Sequence, residues 1–136
     1  MIVIDASAAI ALLLTEDSKL ASVDQLLALA VEPLVAPSHW AAEVGNALVI
    51  NVRRRRLEPA QFALMIGRLA ALGIEIAPPP SYAEIAMNAQ YAIETGLTYY
   101  DSAYIQMAMT KQAALFTLDG KMREVAARVN IPVLPR

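Results

Sequence analysis

"IVIDASAAIALLL", residues 2–14, decides how the rest of the chain is read. Three branched apolar residues in a row, Ile2 to Ile4, fit a short strand covered on both faces, because such a strand has no solvated side to alternate with. A helix follows without a linker: Ser7 suits an N-cap, and Ala8 to Leu14 are strong helix formers. A single acid, Asp5, stands between strand and helix.

The order strand, acid, helix recurs further along. Leu34 to Ala36 is a strand candidate bracketed by Pro33 and Pro37, and Ser38 opens a long helix carrying Trp40, Val44, Ala47, Leu48 and Val52, with Glu43 in its first turns. Ala114 to Leu118 reads as another strand, followed by Asp119 and a helix from Gly120 to Val129. Ile74 to Ala77 and Val133 to Leu134 complete the strands. Other helices are expected from Ser18 to Ala30, from Glu58 and Pro59 through Phe62, Ile66 and Leu69 to Gly73, and from Ser81 to a left-handed cap at Gly96. A last one occupies "LTYYDSAYIQMA", residues 97–108, with Asp101 at its start. Short apolar strands alternating with helices predict one α/β domain over residues 1–136, with a short central parallel sheet flanked by helices on both faces.

Composition narrows the function. The chain is 57% hydrophobic with a mean hydropathy of +0.45, yet its longest charge-free stretches, 6–15 and 33–42, are ten residues each. A membrane span needs roughly 20, so none is expected. The strand begins at once, with no basic segment ahead of it and Asp5 cutting the apolar run short, so a cytoplasmic protein without a cleaved export signal is expected. No cysteine is present, which excludes disulfides, thiolate catalysis and cysteine-ligated zinc. Net charge is −2, and the one concentrated basic block is Arg53, Arg54, Arg55 and Arg56, which either complements a helix C-terminus or binds phosphates.

Ligands of a parallel sheet bind beyond the carboxyl ends of its strands. Asp5, Glu43 and Asp119 follow strands, and Asp101 opens a helix, so all four can reach that one edge. Each has a plain alternative: Asp5 and Asp101 as helix caps, Asp119 with Gly120 as a turn, Glu43 as a solvated helix residue. Together, four carboxylates would repel one another unless something positive sat among them. All-oxygen ligation suits Mg²⁺ or Mn²⁺, commonly completed by substrate phosphate oxygens, and so points to phosphate chemistry. The single histidine, His39, is expected to pack beside Trp40 or cap a helix, since one histidine cannot supply the acid/base pair of a metal-free ribonuclease. No glycine-rich phosphate loop is present. A receiver-type signalling domain also gathers acids around Mg²⁺, but it needs an aspartate ending the third strand, where "IEIAPPP" offers prolines. A catalytically silent binding module with the same fold stays open.

"VIDASAAIALLL" from Val3, "PSHWAAEVGNAL" from Pro37, "TYYDSAYIQMA" from Thr98 and "LFTLDGKM" from Leu115, in this order and spacing, resemble the PIN-domain ribonucleases, specifically the VapC toxins of toxin–antitoxin pairs. The resemblance covers nearly the whole chain. It implies a metal-dependent endoribonuclease whose acids are Asp5, Glu43, Asp101 and Asp119, with Ser7, Asn46 and Thr117 at small polar positions around them. It also implies a homodimer, inhibition by a VapB-like antitoxin, and a structured RNA substrate such as a tRNA or ribosomal RNA. Met122 stands where leucine is frequent, a conservative departure. An acidic site can serve an acidic polymer if the metal inverts the local field and cations flank it. Arg53 to Arg56, Arg68, Lys111, Lys121 and Arg123 are the candidate flanks. Tyr99 and Tyr100 adjoin Asp101 and could stack on a base, although Tyr100 is expected in the core. Leu64, Met65 and Leu72 could form a partner surface or complete the core.

Overall fold

The computed structural model describes residues 1–14 and 31–135. The helix expected from Ser18 to Ala30 lies outside the described residues. In chain order the elements are β1 (Ile2–Ile4), α1 (Ala6–Leu14), β2 (Leu34–Ala36), α2 (Trp40–Arg53), a 3₁₀ turn (Pro59–Gln61), α3 (Phe62–Ala71), β3 (Glu75–Ile76), α4 (Tyr82–Thr95), α5 (Tyr99–Lys111), β4 (Ala114–Phe116), α6 (Gly120–Arg128) and β5 (Val133–Leu134). The five strands form one parallel sheet in the order β3-β2-β1-β4-β5. The helices fall into two contacting groups, α1 with α2 and α3, and α4 with α5 and α6. This is the α/β architecture that the alternation predicts.

The strand order reverses at β1, the kind of position where parallel sheets open a crevice for ligands. The register fixes what reaches that crevice. Ile4 lies opposite Phe116, so the next residues, Asp5 and Thr117, emerge side by side at the carboxyl edge, and the Asp5 N–H donates to the Phe116 carbonyl at 3.1 Å. Beneath this edge Val3, Ile4, Ile105, Leu115, Phe116 and Met122 are buried and form the centre of the core. They hold the strand ends rigidly, because close-packed interiors resist displacement.

Local chemistry sets the helix starts. Asp5, not Ser7, caps α1: its Oδ1 accepts the Ala8 N–H at 2.6 Å, while Ser7 sits in the first turn. Helix α2 begins at Trp40, whose N–H bonds the Pro37 carbonyl at 3.0 Å, so Ser38 lies in the preceding turn. Ser81 and Glu84 form a reciprocal capping box on α4, and Gly96 ends that helix at φ 70°. On α3 Leu69 is buried and Phe62 packs part-buried against the core as expected, but Met65 takes the buried position expected of Ile66, which faces outward with Leu64. Leu72 packs part-buried against the core.

Candidate functional site at the carboxyl edge

Asp5 is the buried member of the site, 5% exposed. Both oxygens of its carboxylate are held by neutral donors. Oδ1 accepts from the Ser7 hydroxyl at 2.8 Å as well as from the Ala8 N–H, and Oδ2 accepts a short bond from the buried Thr117 hydroxyl. Burial pushes its pKa above the ordinary aspartate range, the Glu43 charge adds to this, and the bonds from Thr117, Ala8 and Ser7 oppose it. Thr117 reaches further still: its Oγ1 also accepts the Asp119 N–H at 3.1 Å, so one hydroxyl links two of the acids.

Asp119 is the N-cap of α6, its Oδ1 accepting the Met122 N–H at 2.8 Å. Asp101 is not a cap. Thr98 takes that role on α5 by accepting the Asp101 N–H at 3.1 Å, which leaves the Asp101 carboxylate free of capping duty. Its pKa is raised by burial first, with the Thr98 hydroxyl opposing and the charges of Asp119 and Glu43 adding. The structure therefore brings the four acids into one another's fields: Asp5 with Glu43, and Asp101 with both Asp119 and Glu43.

They do not converge into a closed cage. Among the described residues, no three Asp, Glu or His side chains stand ready to ligate one ion. Nor, among the described residues, does any lysine or arginine pair with the four. An open acidic edge fits Mg²⁺ better than an all-protein nest, since that ion keeps several waters and uses only one or two carboxylates.

Glu43 carries the contacts that the sequence did not reveal. Its Oε1 accepts from the Tyr104 hydroxyl at 2.7 Å, across 61 positions of sequence. The His39 Nε2 stands 3.2 Å from the same oxygen, within ion-pair distance but without hydrogen-bond alignment. Burial raises the Glu43 pKa, but His39 and Tyr104 outweigh it and the net shift is downward. His39 thus neither caps α2 with its side chain nor packs merely as filler; its ring lies 5.2 Å from Tyr104 and 5.4 Å from Tyr100. Its spacing of four from Glu43 was the available signal. Tyr104, three residues after Asp101, shares that acid's helical face.

The remaining sequence candidates divide. Asn46 is exposed one turn from Glu43, and among the described residues it makes no hydrogen bond to the four acids. Arg53, Arg54, Arg55 and Arg56 are all exposed at the C-terminus of α2, about 15 Å along the helix axis from Glu43, so they do not border the acids directly. Arg56 and Arg68 line an open cleft with Ser7. Lys121 and Arg123 are committed elsewhere. The Lys121 Nζ donates to the Gly96 carbonyl at 2.5 Å, and the Arg123 guanidinium donates to the carbonyls of Thr117, Leu134 and Pro135. Tyr100, expected in the core, is 57% exposed in the first turn of α5, its ring 5.4 Å from that of His39. A second cleft of about 470 Å³ is lined by His39, Pro78, Met87, Tyr99, Met107 and Lys111 among others, and by none of the four acids.

Comparison with known proteins gives a consistent result. A family model described as the PIN domain matches residues 2–128. Ribonuclease VapC12 of Mycobacterium tuberculosis is 28% identical over 124 residues, which is 91% of each chain. Among solved structures, PAE2754 from Pyrobaculum aerophilum superposes with a TM-score of 0.70 and 25% identity over 97% of this chain and 81% of that one. FitAcB from Neisseria gonorrhoeae shares the fold, with a TM-score of 0.52 and 20% identity over 98% of this chain and 96% of that one.

Proposed function

The chain belongs to the PIN domain family, and from that premise we propose that it is a divalent-metal-dependent endoribonuclease of the VapC toxin type. The observation that carries the proposal is the charge state of the carboxyl edge. Asp5, Glu43, Asp101 and Asp119 share one field, their oriented members are held by hydroxyl and N–H donors, and, among the described residues, no lysine or arginine neutralises them. One or two of Asp5, Glu43, Asp101 and Asp119 would ligate Mg²⁺ or Mn²⁺ directly, with waters completing the shell and the remaining carboxylates adding charge around it. A divalent ion bound there supplies Lewis acidity and charge neutralisation for phosphodiester hydrolysis.

The chain's own contribution is orientation. Thr117 and Ser7 fix the two oxygens of Asp5, and the rigid ends of β1 and β4 fix the distance between Asp5 and Thr117. Asp101 and Asp119, at the starts of α5 and α6, face the more open side, where a polymer can approach. RNA is the substrate class this reading gives, a tRNA or ribosomal RNA by likeness to the family. Arg56 and Arg68 in the cleft that begins at Ser7 are placed to hold phosphates, and Tyr99 and Tyr100 to meet a base. Partners complete the proposal: a VapB-like antitoxin that silences the site, and a second copy of the chain. The exposed apolar residues Tyr82, Ile85 and Ile93, on one side of α4, support a homodimer surface. Among the described residues no helix is long and apolar enough to cross a membrane, and cleavage of cellular RNA would take place in the cytoplasm.

The test is the chemistry of the cut. Cleavage with Mg²⁺ or Mn²⁺ that stops with chelator and leaves a 5′-phosphate supports the reading. A 2′,3′-cyclic phosphate at the new end would indicate attack by the ribose hydroxyl and refute it. The binding-only alternative predicts that Mn²⁺ calorimetry shows no site.

A further inference from the structure

Glu43 sits on a half-exposed face of α2, its side chain 34% accessible, and a glutamate in that setting ordinarily samples several rotamers. Here one oxygen is occupied. Oε1 takes the Tyr104 hydroxyl at 2.7 Å and lies 3.2 Å from His39, while among the described residues no hydrogen bond reaches Oε2. Tyr104 is 1% exposed, so its phenol cannot swing out to water; its ring is locked edge-on against His39 at 78°.

We propose that Tyr104 is a positioning residue of the acidic site, whose hydroxyl holds Oε1 of Glu43 so that Oε2 is presented to a divalent cation. This rests on the metal-dependent reading above. Two features support it. A phenol is neutral, so it orients Glu43 without cancelling the charge a cation needs, as a lysine or arginine in its place would. And the same helix carries Asp101 one turn earlier, so α5 sets the positions of two acids at once.

A buried tyrosine also needs some partner for its hydroxyl, and a purely structural bond to Glu43 would serve. The two roles differ in what Tyr104→Phe does. Phe keeps the ring and its packing, and the accessible Glu43 can take a water instead, so the fold is retained in either case. The positioning role predicts that Mn²⁺ affinity of the ribonucleic-acid-free protein, measured by calorimetry, falls about 10- to 100-fold, with a melting temperature close to wild type. It further predicts that in a Glu43→Ala background Tyr104→Phe changes Mn²⁺ affinity less than about twofold, because the tyrosine acts through that carboxylate. Unchanged affinity in Tyr104→Phe, or an equal loss in both backgrounds, overturns the proposal. If the wild-type protein itself binds no Mn²⁺, the metal-dependent reading fails first, and this one with it.

Discussion

Thr117→Val removes one oxygen from the most buried part of the site at nearly constant volume. In the wild type that hydroxyl donates to the Asp5 carboxylate and accepts the Asp119 N–H. Thr117 is fully buried and Asp5 is 5% exposed, so neither regains a water when the bond is removed. A hydrogen bond to a charged group contributes about 1.5–3 kcal/mol; Asp119 is exposed, so its freed N–H is rehydrated and adds little. For 136 residues the unfolding entropy is about 0.3 kcal/mol per degree, so the melting temperature should fall by roughly 5–10 °C near neutral pH. The loss should depend on pH, and its sign follows from Asp5. Its folded pKa already lies above the ordinary range because of burial, and Thr117 is the strongest influence pulling it back down. The variant's folded pKa is therefore higher still. Above that pKa the ionised, buried Asp5 costs stability; as pH falls through the folded pKa toward the unfolded one, Asp5 protonates and the cost vanishes. Calorimetric melts between about pH 7.5 and about pH 4 should show the gap between variant and wild type narrowing on acidification. A gap that is constant or widens would show that Thr117 does not hold Asp5 in its ionised form.

Asp101→Asn should abolish metal-dependent RNA cleavage while the melting temperature at neutral pH stays level or rises, since the change removes a charge raised in pKa by burial and by Asp119 and Glu43; full activity in this variant would count against the site. Arg123→Met should cost about 2 kcal/mol by freeing the carbonyls of Thr117, Leu134 and Pro135. It should leave the salt dependence of RNA binding unchanged, because that guanidinium is spent on the backbone, and filter binding across a salt series checks this. Replacing Arg53, Arg54, Arg55 and Arg56 by glutamine should act oppositely, with stability kept and the slope of log affinity against log salt reduced by about 0.7 for each phosphate that is no longer neutralised; an unchanged slope would remove the block from the RNA path.

The fold was legible because its signal is periodic and local. Short branched strands such as Ile2–Ile4 and Leu34–Ala36 can only be covered on both faces, and Gly96 and Ser81 end and begin helices by their own backbone chemistry. The position of Asp5, Glu43 and Asp119 after strands was legible for the same reason, as strand ends in a parallel sheet share one edge. What the sequence hid is long-range pairing. Nothing local links Tyr104 to Glu43 across 61 positions, and a tyrosine at a core spacing reads as packing until its hydroxyl is placed. Helix rotation was hidden for a different reason. Ile66 is apolar at helical spacing, yet α3 buries only Met65 and Leu69, so a shift of one residue moves a side chain from core to solvent; Tyr100 shares the face of Tyr104 but lies in the first turn of α5, where it is 57% exposed. Capping was ambiguous where two polar residues competed: Asp5 prevailed over Ser7, and Thr98 over Asp101.

The disposition of the nearby cations bears most directly on how the site keeps its charge. Lys121 and Arg123 follow Asp119 by two and four residues, close enough to pair with it or its neighbours. Both turn away, Lys121 to the carbonyl of Gly96 and Arg123 to three carbonyls at the ends of β4 and β5. Those bonds brace the backbone that carries the acids but add no counter-charge at the carboxylates. Thr117, Ser7 and Tyr104 do the orienting instead, and each is a neutral donor. A buried ion pair with an arginine would have given firmer anchoring of each acid, yet it would also have filled the place of any incoming cation. Hydroxyl donors keep the geometry and leave the repulsion among the acids unrelieved, so on the proposed metal-dependent reading the binding free energy of a divalent ion would include the relief of that repulsion. The instability of the ion-free edge and its affinity for a cation are, on this argument, one quantity seen from two sides.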